Sequence, residues 1–482
     1  MARAPHTDET YDLVILGSGT TAFAAAIRAA ELGRTAVMTE HRVLGGTCVN
    51  RGCLPSKNLI EAARVYREAT HPRFPGLLPR GMDLDVRALI RQKDEVVHDF
   101  RDRKYQAIVA DSDRITVHTG RARFVPDGTV EVDGRRLRGR HYLIATGSRP
   151  ALPPIPGLDR VPYLTSDLLA ADEAQELWDL PRSLLIVGGG YVALELGQLF
   201  SRLGSTVTVL ERSARLLPAH EPEVSASVAE ILQAEGVDVV AGAAVTAVEP
   251  SGDRVVARAR VDGVEARYEA DRLLVATGRR PNTDDLGLEH VGVETDERGF
   301  VRVDEFLRTT APGIWAAGDV IGPHTGSHLA TPVGAHDGVI VADNALGGRD
   351  RRVDHSVIPR TIFTDPQVAT VGLTEAEAVR RGHRCWCSSV PLGVVPRAGA
   401  VRDTRGVVKM VLDRETRRVL GVSLVGRDAG EVIHEAAMAL RFGATVHDFI
   451  DLVHVYPTMA EALKIVALSF FKDVERLSCC AE

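Results

Sequence analysis

Residues 11–22 read Tyr-Asp-Leu-Val-Ile-Leu-Gly-Ser-Gly-Thr-Thr-Ala, and residues 183–193 read Ser-Leu-Leu-Ile-Val-Gly-Gly-Gly-Tyr-Val-Ala. Each is an apolar strand that runs into a glycine turn and opens a helix. The first unit predicts a strand over 11–16, a turn over 17–22, a helix to residue 33 and a second strand over 35–40. The second repeats it, with a strand over 183–187, a helix to 203 and a strand over 205–211. Gly17 permits the tight turn, Gly19 lets the backbone approach a pyrophosphate, and Ala22 allows the helix to pack close to the strand. Gly188 and Gly190 fill the corresponding turn positions. Glu40 and Glu211 end the second strands, where an acid accepts a ribose hydroxyl. Each unit is later closed by an apolar strand ending in Ala-Thr-Gly, at 145–147 and 276–278, where small residues permit close approach to a ligand. Two such sites imply two dinucleotides.

The fold class expected is therefore α/β, with two Rossmann-like doubly wound dinucleotide-binding domains and an α+β C-terminal interface domain. The boundaries expected are 1–150 for the first part of one nucleotide domain, 151–280 for the other, 281–350 for the return of the first, 351–475 for the interface domain and 476–482 for a tail. The proline-rich run 150–156 reads as a linker. The interface domain predicts strands over 356–363, 401–412 and 419–425, then helices over 430–443 and 457–471.

Composition narrows the function. The chain has 482 residues, 45% of them hydrophobic, too many for one core. A net charge of -7 argues against a nucleic-acid or anionic-membrane surface, so the partner expected is a small molecule. No signal core opens the chain and no apolar run is long enough to span a bilayer, which places it in the cytoplasm. Six cysteines in so long a chain are too few for a disulfide scaffold.

Those cysteines come in pairs. Cys48 and Cys53 lie in Gly-Gly-Thr-Cys-Val-Asn-Arg-Gly-Cys-Leu-Pro-Ser-Lys, residues 45–57, at the start of an apolar-periodic helix. A helix N-terminus favours the reactive thiolate, and one helical turn would let the sulfurs meet. The spacing is not that of zinc ligands, and glycine-rich polar flanks argue against two core cysteines. Cys479 and Cys480 stand next to each other in the tail, where packing does not explain them and a reactive or soft-metal role does. Cys385 and Cys387 alternate on a predicted strand and read as two same-face residues of a half-buried strand. Met438, Met459, Phe470 and Phe471 recur at helical spacing and read as core.

Residues 45–57 resemble the redox-disulfide signature of the pyridine nucleotide-disulfide oxidoreductases, FAD enzymes that include glutathione reductase and dihydrolipoamide dehydrogenase. The resemblance covers nearly the whole chain in order, from FAD fingerprint to C-terminal interface domain, and it implies a homodimer. It implies that Gly17, Gly19, Ala22, Glu40, Thr47, Lys57, Ala122 and Asp319 contact FAD. It further implies that Lys57 pairs with Glu195, that Tyr191 covers the nicotinamide pocket, and that Cys53 is the flavin-side thiolate while Cys48 exchanges with substrate. Glu211 suits the ribose of NADH, whereas Arg212 and Arg215 could accept the extra phosphate of NADPH; the resemblance favours NADPH.

Two departures bear on the substrate. Members that reduce organic disulfides carry a His-Pro base near the C-terminus, whereas residues 454–461 here read His-Val-Tyr-Pro-Thr-Met-Ala-Glu. Tyr456 stands at the base position, and a phenol with an ordinary pKa of about 10 is a poor acid for thiol chemistry. His454, two residues earlier, reads as a helix-entry or packing residue. Tyrosine and tail together resemble the branch of the family that reduces Hg(II), a soft cation for which no leaving thiol requires a histidine acid. That resemblance implies that Cys479 and Cys480 capture thiol-complexed Hg(II) and pass it to Cys48 and Cys53, with Tyr191 and Tyr456 lining the inner site. It also implies a short form without an N-terminal metal-binding domain. A thioredoxin-reductase-like relay through the tail pair, and a passive thiol metal-binding protein, are the alternatives.

Overall fold

Leu13, Val14, Ile15 and Leu16 have no solvent exposure. A strand that is apolar on both faces belongs in the middle of a covered parallel sheet. In the computed structural model, which describes residues 9–79, 81–172 and 178–476, they form β1 (Glu9–Leu16). It runs parallel to β2 (Ala36–Glu40) on one side and to the strand Arg135–Ile144 on the other. Helix α1 (Thr20–Glu31) turns Ala22, Ala25, Ala26 and Ala29 inward. These small residues allow close packing against the helix Thr331–Gly347, where a Cβ on Gly338 would fall 2.3 Å from the Thr21 carbonyl oxygen. The strand Ile314–Ala316 comes back from far along the chain to pair with Arg135–Ile144, and so delivers Asp319 to the same sheet edge as β1.

The second unit repeats the arrangement. Ser183–Val187 lies between Thr206–Glu211 and Arg272–Val275, all parallel. The helix Tyr191–Arg202 packs over it. An antiparallel meander follows, Ala244–Ser251, Arg254–Val261 and Val264–Ala270, which the motif reading did not anticipate. Its second hairpin turns at Asp262-Gly263, both with positive φ, a turn chemistry legible in principle from the dipeptide.

The C-terminal region is a five-stranded antiparallel sheet in the order Arg360–Ile362, Gln367–Gly372, Val419–Gly426, Val407–Asp413, Cys385–Pro391. Several predicted bounds shift here. The strand expected over 356–363 shrinks to Arg360–Ile362. The one expected over 401–412 starts only at Val407, because Pro396 opens a short helix, Pro396–Ala400, and the chain then turns through Arg402 with φ 54°. The last helix begins at Glu461 rather than 457, since the Thr458 N–H donates to the Glu461 carboxylate ahead of it. Met459 and Phe470 are core as expected, but Met438 and Phe471 are exposed and belong to an outward-facing apolar surface. No helix among the described residues is long and apolar enough to cross a membrane.

Both glycine turns meet the closing strand at van der Waals limits. Gly17 and Gly188 share φ 115°, and a Cβ on either would lie 2.4 Å from a carbonyl oxygen, that of Ala145 or Ala276. Gly33 also has positive φ, but nothing lies within 4 Å of a Cβ there. Gly33→Ala should therefore cost about 1–2 kcal/mol of left-handed strain alone. Gly188→Ala should cost at least about twice as much, because strain and collision add. Thermal denaturation of the two variants checks this, and equal Tm shifts would refute the close-approach account.

Candidate active site

A cleft of about 480 Å³ opens where the first glycine turn, the cysteine segment and the Asp319 segment converge. Gly17, Gly19, Glu40, Thr47, Ala122 and Asp319 all line it, although they come from five separate stretches of chain. Ala22 does not: it is fully buried between α1 and the sheet, which is what the packing role of that position demands.

The floor of the cleft is bare backbone. Gly19 is the N-cap of helix α1 and puts no side chain on its first amides, so those N–H groups are available to an anion. A Cβ on Gly46 would fall 2.7 Å from the Gly19 Cα, so the cysteine segment can lie against the turn only as glycine. Carboxylates mark the walls. Glu40 accepts from the Ser18 hydroxyl at 2.6 Å and the Arg42 N–H at 2.6 Å. Asp319 accepts from the Ser148 hydroxyl at 2.6 Å, and Ser148 is itself gripped by Arg279 at 2.7 Å. A glycine cradle at a helix N-terminus between two hydroxyl-binding carboxylates fits a dinucleotide such as FAD.

The two cysteines do not share one helix. Cys48 lies in α2 (Gly46–Arg51) and Cys53 opens α3 (Cys53–Thr70), with Gly52 breaking the helix between them at φ -120°, ψ -112°. A Cβ at Gly52 would lie 3.0 Å from the Thr47 carbonyl oxygen, which is why the break falls on glycine. Both thiols are free and adjacent. The Cys48 S–H donates to the Cys53 sulfur, which is the main cause of a Cys53 pKa brought down to about 6 against the penalty of burial. The Lys57 ammonium and the Thr331 hydroxyl, 3.8 Å from the Cys53 sulfur, act in the same direction. The same hydrogen bond, with burial, pushes the Cys48 thiol up. The pair is therefore polarised, with the charge on Cys53.

Lys57 is fixed by Glu195 at 2.8 Å and lies 4.7 Å above the Phe363 ring. The other Glu195 oxygen accepts the Phe363 N–H at 2.8 Å. Tyr191 opens its helix half-exposed, within electrostatic reach of Arg279, Asp319, Glu195 and Cys53. Thr331, Ser148, Arg279 and Phe363 were not singled out in sequence; none lies in a motif, and each reaches the site only through tertiary folding.

At the second glycine turn, Gly190 begins a helix that likewise has no side-chain cap. Glu211 is buried, and its two oxygens accept the Gly189 N–H at 2.5 Å and the Ser213 N–H at 2.6 Å. Arg215 donates to the carbonyls of Pro218 and His220. Arg212 is exposed. His454 is partly buried, its side chain 5% exposed and paired with Glu435 at 3.0 Å, which raises its pKa, whereas Tyr456 is about half exposed on the outer surface. Cys479 and Cys480 lie outside the described residues.

Residues 11–343 match the pyridine nucleotide-disulphide oxidoreductase family, and residues 358–467 its dimerisation domain. The chain is 46% identical to a mercuric reductase of Streptomyces lividans over 98% of both proteins. It is 44% identical to one of Lysinibacillus sphaericus over 98% of this chain and 85% of that one. Among solved structures, a Cu(II) complex of the HOCl-induced flavoprotein disulfide reductase RclA from Escherichia coli superposes with a TM-score of 0.84 at 32% identity, covering 96% of this chain and all of that one.

The polarised thiol pair makes a checkable prediction. A Cys53 pKa of about 6 means that the thiolate persists above that pH and is lost below it, so iodoacetamide should alkylate the reduced protein at Cys53 with a midpoint near pH 6. Lys57→Met removes an opposite charge and should move the midpoint up by about one unit. Peptide mass spectrometry across a pH series reads both, and a wild-type midpoint above 8 would overturn the assignment.

Proposed function

The chain belongs to the pyridine nucleotide-disulphide oxidoreductases, and from that premise we propose that it reduces Hg(II) to elemental mercury with electrons from NADPH. The observation that carries this reading is the state of His454. The histidine nearest the base position is buried on Glu435, and the base position itself holds Tyr456. A disulfide substrate needs a dedicated acid for its leaving thiolate, whereas a thiolate leaving Hg(II) takes the proton of the thiol that replaces it. The relatives named mercuric reductase support the same substrate.

FAD, when bound, supplies two-electron chemistry between a nicotinamide and a dithiol. Gly17, Gly19, Glu40, Thr47, Ala122 and Asp319 would hold it, with Lys57 held in place by Glu195 beside the thiols. Gly188 and Gly190 would receive the nicotinamide dinucleotide. Because Glu211 already serves two backbone amides and Arg215 holds the Pro218 and His220 carbonyls, exposed Arg212 is the first group placed to meet a ribose substituent, with Arg215 behind it, which favours the 2′-phosphate of NADPH over the hydroxyl of NADH.

Hg(II) arrives as a thiol complex, is taken by Cys479 and Cys480, and is passed by ligand exchange to Cys48 and Cys53. At the inner site Cys48 exchanges first, its proton leaving on the departing thiolate, and the preformed Cys53 thiolate makes the second bond. Overall, NADPH and Hg(II) become NADP⁺, a proton and Hg(0). Tyr191 and Tyr456 line the inner site. Tyr456 lies on an exposed apolar surface with Met438, Phe442, Val453 and Val455, a surface suited to a second copy of the chain, so the site is completed in a homodimer. A cytoplasmic setting supplies both NADPH and the thiols that keep these cysteines reduced.

Purified protein in excess monothiol should oxidise NADPH only when Hg(II) is added, with volatile mercury appearing. Turnover with oxidised thioredoxin in place of Hg(II) would overturn the reading. Replacing Cys479 and Cys480 together by Ala should impair turnover of thiol-complexed Hg(II) while leaving reduction of the flavin by NADPH intact; unchanged turnover of bulky mercury thiolates would remove the relay. Arg212→Ala should raise the KM for NADPH by about tenfold, one lost charge-assisted contact, and leave that for NADH unchanged.

A further inference from the structure

The third cysteine pair has no part in that mechanism. On the edge strand Cys385–Pro391 the residues alternate, and Trp386 turns into the apolar cluster with Phe470 and Phe471 at 4.9 and 5.4 Å between ring centroids. Cys385 and Cys387 face the other way. Both are half-exposed, and both thiols are free. The surroundings are charged: Cys385 is opposite Asp413, Cys387 shares a hydrogen bond with Glu375, and Ser389 is opposite Lys409. Buried Lys409 is in turn ringed by Glu221, Glu223 and Glu375 at 2.8–3.1 Å. Three carboxylates therefore stand around one ammonium beside the two sulfurs, and Asp413, paired with His383 at 3.0 Å, adds a fourth on the Cys385 side, a field that attracts a cation. This is not how cysteine serves as a small hydrophobe.

Geometry restricts what the pair can do. Residues i and i+2 of a strand are separated by about 6.7 Å along it, and their Cβ atoms point the same way. A disulfide needs Cβ atoms about 3.8 Å apart, which the paired strand does not permit. A two-coordinate cation has no such requirement: with metal–sulfur bonds of about 2.3 Å it spans about 4.6 Å between sulfurs, a gap that two same-face thiols can close by leaning together. Among the described residues no group of three or more His, Cys, Asp or Glu could hold a metal, so a cation that demands four ligands is not served here.

We propose that Cys385 and Cys387 form a second, two-coordinate site for a soft thiophilic cation, outside the catalytic cleft and loaded by Hg(II). The choice of Hg(II) as occupant rests on the proposed activity; the ligand geometry does not. Loading is a ligand exchange without redox change. Two bonds from Hg(II) to external thiolates break, two to Cys385 and Cys387 form, and the two cysteine protons leave on the departing thiols. The ion held there has no path to turnover, and the site acts as a store.

The test uses the holoenzyme without NADPH, loaded with Hg(II)–bis(cysteine), freed of unbound metal by gel filtration and measured for mercury per protomer. Six cysteines allow three two-coordinate ions. C385S/C387S should lose one of them and keep its rate of Hg(II)-dependent NADPH oxidation. C385S alone should lose as much as the double variant, because a two-coordinate site with one sulfur does not outcompete free cysteine; this comparison also covers a double variant that fails to fold. Equal mercury content in wild type and variants would overturn the site. Wild-type protein that retains the extra ion but shows no Hg(II)-dependent NADPH oxidation when NADPH is then supplied would leave the site standing and overturn the proposed activity instead.

Discussion

Everything at the active site hangs on one face of the helix Tyr191–Arg202. Glu195, Gln198 and Arg202 recur at the i, i+3, i+7 spacing, and all three are buried. Glu195 ties Lys57 of the cysteine helix to the backbone of Phe363. Gln198 exchanges two hydrogen bonds with the Asp365 backbone, at 2.8 and 2.7 Å. Arg202 binds Glu235 at 2.7 Å and Asp365 at 2.8 Å, and Arg405, Asp403 and Arg73 extend that network back to the segment after the cysteine helix. Three parts of the chain thus meet through polar groups that cannot be left unpaired. Removing one partner of a buried pair typically costs about 3–5 kcal/mol, whereas sliding an apolar interface costs little until contacts open. A junction built this way holds a fixed orientation, and electron transfer between two nucleotide sites and a thiol pair needs orientation more than adhesion.

The same junction sets the chemistry of the thiols. Lys57 could neutralise itself by wandering to any surface carboxylate; held on Glu195 and over Phe363, its charge stays beside Cys53. Thr331 adds a hydroxyl from the start of a helix that is itself locked against α1 by glycine contact. The Gly52 break completes the arrangement by letting the two sulfurs come from successive helices. One thiol then serves as hydrogen-bond donor and the other as its charged acceptor, which is a better state for capturing a cation than two equivalent thiols.

How much of this could be read beforehand follows from the range of each interaction. The two strand, turn and helix units were legible because their determinants lie within about 30 residues and repeat. Glu40, Thr47, Ala122 and Asp319 line one cleft, and while Glu40 ends an apolar strand and Asp319 follows one, Ala122 carries no local mark of its place there. Thr331, Ser148, Arg279 and Phe363 escaped notice because each acts on a residue 131 to 278 positions away, beyond any motif. Ala22 was given a ligand contact when its fingerprint role is packing. The C-terminal sheet was read with blurred edges because apolar runs there pass through Pro396, Arg402 and Gly406, where turn geometry overrides propensity.

The three cysteine pairs show why spacing alone underdetermines function. The separations are one, two and five residues, and it is backbone conformation that assigns each its chemistry. Across a broken helix, Cys48 and Cys53 can approach closely enough both to exchange protons and to bond each other. On a strand held by its neighbour, Cys385 and Cys387 are kept too far apart to bond and close enough to share a linear ion. The one residue between them, Trp386, is what pins that strand, since its ring is clamped by Phe470 and Phe471 and capped by Arg417 at 4.4 Å. A strand anchored through the middle residue of the pair cannot twist to bring its flanking thiols together. The anchoring of Trp386 therefore decides which reactions the neighbouring sulfurs can undergo, although Trp386 takes part in none of them.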